Sequence, residues 1–187
     1  MKFDIARQPL VPAFMTLFAL AVAAMCAGIP VPDTETSGAV REALPLLGGQ
    51  LARFQAAYPV WSKFAAGFML LFAGMCTGRI SIRYNLYTVG TCLPIPLYAI
   101  VACGIATGGN YLAGFAASML LALATKNYCR AFCNGYGFDA IFRASLYLGL
   151  MPLIYAPALP LLLLLPLAVL LFRRTFREVV VATAGLL

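Results

Sequence analysis

Histidine is absent from the 187 residues and charge is scarce, with six acidic and thirteen basic positions making up 10% of the chain. Without histidine there is no Ser-His or Cys-His pair for nucleophilic catalysis. A zinc site would need sulfur and carboxylate ligands alone, and no such cluster occurs. The acidic residues include no clustered pair suited to metal-dependent phosphate or lipid transfer. Gly-x-Ser-x-Gly and Gly-x-x-x-x-Gly-Lys-[Ser/Thr] are both missing. Neither a metal nor a cofactor is expected. The six cysteines (Cys26, Cys76, Cys92, Cys103, Cys129, Cys133) contain no C-x-x-C pair and fall mostly in apolar runs. They read as small thiols packed between helices.

What is present is apolar. Hydrophobic residues make up 63% of the chain and the mean hydropathy is +0.93. Soluble domains carry about a quarter charged residues. The composition therefore predicts a chain solvated by lipid. The net charge of +7 would suit a nucleic-acid binder. The basic residues, however, lie in short clusters between apolar runs, as cytoplasmic loops of membrane proteins do, so no nucleic-acid partner is expected.

A helix needs about 20 apolar residues to cross the hydrocarbon core. Leu10–Ile29 is the first span, with a cleaved signal peptide as the alternative. Residues 30–59 form the one long polar stretch. In it Val40, Ala43, Leu44, Leu47, Leu51 and Phe54 recur at helical spacing. This predicts an external amphipathic segment, interrupted at Pro45 and Gly48-Gly49, acting as a connector or as a docking helix. Tyr58–Gly78 is the second span, with Trp61 and Lys63 at one interface and Arg79 and Arg83 at the other. Residues 84–125 carry no charge, and one helix of that length would reach about 63 Å. The stretch must turn, and Thr107-Gly108-Gly109-Asn110 is the predicted turn between spans Leu86–Ala106 and Tyr111–Thr125. Pro94 and Pro96 predict a helix break in the third span.

Residues 126–143 read as a cytoplasmic loop with short helical pieces. Arg130, Asn134, Asp139 and Arg143 converge there as a candidate site, and Asp139 and Arg143 are spaced to pair on one helix face. The bland alternative is a loop held by an ion pair. Cys129 and Cys133, one helical turn apart, read as ordinary small residues or as a redox or acylation pair. Residues 144–172 read as two spans, Phe138–Ala156 and Ala158–Phe172, with a single tilted helix as the alternative. The apolar residues 179–187 read as a tail or as a span cut short.

The loops alternate in charge. Ten basic residues fall on one side (Lys2, Arg7, Arg79, Arg83, Lys126, Arg130, Arg143, Arg173, Arg174, Arg177) and three on the other (Arg41, Arg53, Lys63). The positive-inside rule then places the N-terminus in the cytoplasm. Four small-xxx-small pairs, Gly74–Gly78, Gly104–Gly108, Ala23–Ala27 and Ala113–Ala117, predict close helix approach inside the bundle or at an oligomer seam.

Gly137-Phe138-Asp139-Ala140 opens an aromatic-aliphatic span ending in Leu153-Ile154-Tyr155. A turn, a Leu-rich span, Arg173-Arg174 and amphipathic residues 176–187 follow. From about Asn110 to Leu187 this pattern resembles an uncharacterised family of multi-pass inner-membrane proteins of Bacteroidota. The resemblance implies further spans beyond Leu187 and no particular activity.

The expectation is thus an all-α polytopic transmembrane bundle of about six spans, a single domain over residues 1–187. Its setting is a bacterial inner membrane and its partner the lipid bilayer, with a membrane protein or a second copy as further partner. The first functional reading is a non-catalytic scaffold or partner-docking subunit. A transporter or channel for a small or lipid-like solute comes second, and a membrane-embedded transferase third.

Overall fold

The computed structural model describes residues 10–26, 46–84, 92–106, 110–133, 137–163 and 176–186. Among them there are only helices. These are α1 (Leu10–Cys26), α2 (Leu46–Ala57), α3 (Pro59–Arg83), α4 (Pro94–Ala106), α5 (Tyr111–Cys133), α6 (Phe138–Ile154), a 3-10 helix (Ala156–Leu163) and α7 (Phe176–Leu186). The all-helical expectation holds for these residues. One of them, α3, is long and apolar enough to cross a membrane, and Leu10–Ala23 is a shorter apolar stretch of the same kind. Six such helices were expected. Helix α4 has 13 residues and α6 has 17, both short of a full crossing.

Several boundaries differ from the sequence reading. Helix α2 runs straight through Gly48-Gly49, because these stand in its first turn, where Gly48 is buried. Helix α5 continues past Thr125 to Cys133 and α6 begins at Phe138, so residues 126–133 and 138–143 of the expected loop at 126–143 are helix. Lys126, Asn127 and Arg130 contain no breaker, and the glycines come only later. Pro94 opens α4, and Pro96 stands in its first turn, where a missing N–H leaves no hydrogen bond unmade. The stretch 85–91, which would hold the other half of the expected break, lies outside the described residues. So do the turn at 107–109, all of 30–45, and 164–175. After Tyr155 the chain winds as a 3-10 helix rather than an α-helix, as Pro157 and Pro160 remove backbone donors.

Glycine sets how closely the helices approach. In α3, Gly67 faces Met25 and Gly74 faces Leu17 of α1, so the two helices run antiparallel. Gly78 faces Ile95 and Gly74 faces Tyr98, so α4 is antiparallel to α3 as well. Ser62 and Tyr111 share a hydrogen bond at the starts of α3 and α5, and further along Gly74 of α3 and Ser118 of α5 both meet Tyr98 of α4. Helices α3 and α5 therefore run parallel and in step. Helix α6 begins beside the end of α5, where Gly137 packs on Ala131, and α7 lies along α6.

The core is built of small residues. Sixteen of the 27 buried hydrophobic residues described are alanine, and Phe115 is the one buried phenylalanine among them. Phe14, Phe18, Phe64, Phe68, Phe72 and Phe142 are all exposed. Hydroxyls inside the bundle bond back to their own helices: Thr77 Oγ1 donates to Ala73 O, and Ser145 Oγ to Ile141 O and Phe142 O. Helix α2 is tied in by Gln55, whose Oε1 accepts the Leu112 backbone N–H at 3.3 Å and so satisfies a first-turn donor of α5.

Candidate functional site

The antiparallel packing gathers the helix ends into two layers. One layer holds the ends of α3 and α5 and the start of α6, and with them Arg79, Arg83, Lys126, Arg130 and the Asp139–Arg143 pair. Arg79 and Lys126, both exposed, stand at about one level because α3 and α5 run in step. Of the four residues expected to converge, Arg143 Nε donates to Asp139 Oδ1 at 3.0 Å, with both side chains more than half exposed. Arg130 is exposed near the end of α5. Asn134 lies outside the described residues. The pair is an exposed (i, i+4) contact, the geometry of a solvated helix face.

Two hydroxyls in this layer are buried without a hydrogen-bond partner, Ser81 Oγ and Tyr128 OH. The Tyr128 ring stacks on Phe132 at 5.8 Å between centroids. Cys129 is half-buried, and the Cys133 side chain lies outside the described residues.

The other layer holds α2 and the start of α3. Phe54 and Tyr58 lie against each other, ring centroids 5.6 Å apart. With Trp61, Phe64 and Ala65 they line an open groove of about 450 Å³. Among the described residues, Arg53 and Lys63 are basic residues of this layer.

The small-xxx-small pairs divide. Gly74 and Gly78 are buried against α1 and α4, and Ala113 and Ala117 are buried too, so both serve packing inside the bundle. Gly104 faces open space, and its partner Gly108 lies outside the described residues.

Sequence reasoning missed Glu178, a carboxylate 2% exposed in the first turn of α7. It shares the helix face of Ala182 and Gly185, both buried. Gly185 sits on Ser145 and Phe142, so this face is the one turned to α6. Thr175-Phe176-Arg177-Glu178 has the spacing of a capping box, which was the available signal. Among the described residues no group of three His, Cys, Asp or Glu side chains is placed to hold a metal. Comparison of the chain with known protein families, with characterised proteins and with solved structures finds no match.

Proposed function

We propose that the chain is a multi-pass protein of a bacterial inner membrane, with about six spans and a cytoplasmic N-terminus, and that it serves as a non-catalytic subunit docking a membrane partner. One observation carries this reading. The bundle buries alanine and glycine and exposes phenylalanine, leucine and valine. In water that arrangement loses the hydrophobic term, whereas in lipid close backbone packing drives association and large apolar side chains face the acyl chains. The interfaces argue for a fixed framework. Gly74 and Gly78 hold α3 against two neighbours, and α6 and α7 meet at Gly149 and Gly185. The docking surface on this reading is the corner of α2 and α3, where the Phe54–Tyr58–Trp61–Phe64 groove opens. The kinship with the Bacteroidota family belongs to the same proposal.

A photo-crosslinking residue at Phe54, in membranes resistant to carbonate extraction, tests it. A discrete adduct of defined mass at Phe54, absent at Phe142, is the expected outcome. Release by carbonate would sink the membrane reading, and crosslinks to lipid alone would sink the docking one.

A transporter is the second reading, favoured by Glu178, since a buried ionisable group in a membrane bundle marks solute or proton pathways. Loss of solute-dependent thermal stabilisation in Glu178→Gln would move the assignment there. Asp139, the acid that the transferase reading offers, is engaged by Arg143.

A further inference from the structure

Helix α3 presents one exposed face along most of its length. Phe68, Phe72 and Met75 stand on it, and Arg79 and Arg83 continue the same face past them. The rings of Phe68 and Phe72 stack at 6.4 Å. From Phe68 to Arg79 the helix rises about 17 Å, close to half of a ~30 Å hydrocarbon core. An acyl chain laid on this face would end its apolar run where the guanidinium of Arg79 begins. Helix α5 runs parallel alongside and brings Lys126 to about the same level, since Ser62 meets Tyr111 at the two helix starts and Gly74 and Ser118 both meet Tyr98 further along. Arg83 and Arg130 extend the positive field by one turn, and Tyr128 OH supplies a hydroxyl without a partner in that layer. Asp139, an acid of the layer, is engaged by Arg143.

We propose that the Arg79–Lys126 pair, at the end of the Phe68–Phe72–Met75 face, is a binding site for an anionic phospholipid of the adjoining leaflet. The phosphate sits between the two cations and one acyl chain lies along α3. Basic pockets between spans recognise anionic headgroups in this way. The inference rests on the membrane-spanning reading and adds a ligand class to it.

The test uses the full chain reconstituted in bilayers, with Trp61→Phe removing the one native tryptophan and Phe72→Trp placing a reporter on the face. Phosphatidylglycerol or phosphatidylcholine with brominated chains is then titrated into unlabelled phosphatidylcholine. Quenching by the anionic lipid is expected at a mole fraction lower by roughly five-fold or more, the scale of one basic residue at an anionic surface. Arg79→Gln with Lys126→Gln should abolish that preference, while Arg53→Gln with Lys63→Gln, at the opposite layer, should leave it intact. Equal quenching by both lipids would overturn the site and leave the spanning reading standing. No quenching by either would overturn both. Displacement of the brominated anionic lipid by millimolar glycerol phosphate would assign the cations to a free phosphate and overturn the lipid proposal.

Discussion

Gly67 and Gly185 are both buried helix glycines at close crossings, yet they should answer an added methyl group differently. At Gly67 a Cβ would meet the tip of the Met25 side chain, which has three rotatable bonds and can swing aside. Alanine also favours the helix over glycine by up to about 1 kcal/mol. Gly67→Ala should therefore leave stability within about 1 kcal/mol of the parent. At Gly185 a Cβ would run into Ser145 Oγ and approach Phe142 O to 2.9 Å. The carbonyl is backbone, and the hydroxyl is held by bonds to Ile141 O and Phe142 O. Neither can yield without moving α6, so Gly185→Ala should cost about 1–3 kcal/mol. Thermal unfolding of the two variants in one detergent checks the contrast, and equal losses would mean that α6 and α7 are not in close contact. Glu178 shows why such detail escapes a sequence. Beside Arg177 and at the head of an apolar run it looks like a boundary marker, and only the burial of Ala182 and Gly185 on the same face turns it inward.

At the scale of the element, sequence and structure part where proline and glycine carry the reading. Gly48-Gly49 looked like an interruption, but glycine's cost is small in a first turn whose N–H groups lack helical partners in any case. A span was expected to start at Ala158, whereas Ala156–Leu163 wind as a 3-10 helix, because Pro157 and Pro160 remove backbone donors. The start of α3 was legible to within a residue, at Pro59 against the expected Tyr58, whereas its end runs on past Gly78 to Arg83, because Arg79 and Arg83 do not interrupt a helix. What no local pattern contained was the tie between α2 and α5. Gln55 lies far from Leu112 in sequence, and its amide oxygen serves as a cap delivered from another helix. Gln55→Leu should cost about 1 kcal/mol, the usual value of a lost cap. The loss should show as faster proteolysis at α2 with the rest of the bundle intact. By contrast Asp139→Asn breaks an exposed (i, i+4) pair and should change stability by no more than about 0.5 kcal/mol.

For the whole molecule, the antiparallel alternation of α1, α3, α4 and α5 connects packing with charge. Each reversal carries the next helix end back to one of two layers, and the basic residues of α2, α3, α5 and α6 divide five to two between them: Arg79, Arg83, Lys126, Arg130 and Arg143 against Arg53 and Lys63. The candidate convergence at 126–143 was legible for its Asp139–Arg143 pair, since (i, i+4) spacing needs only one helix. The company of Arg79 and Lys126 was not, because it depends on α3 and α5 running in step. If the charge difference sets orientation, the layer of five faces the cytoplasm and α2 faces outward. Single cysteines replacing Ser37 or Asn134 in a cysteine-free background, labelled in intact cells with a membrane-impermeant maleimide, read this directly. Labelling at Ser37 alone is expected; it would put the Phe54–Trp61 groove outside and the Arg79–Lys126 pair at the inner leaflet. Labelling at Asn134 alone would invert the molecule, moving the cationic layer to the outer leaflet and the docking corner into the cytoplasm. Labelling at both would mean that the polar segment and the basic layer share a side, and the alternation of helix directions would then not correspond to membrane crossings.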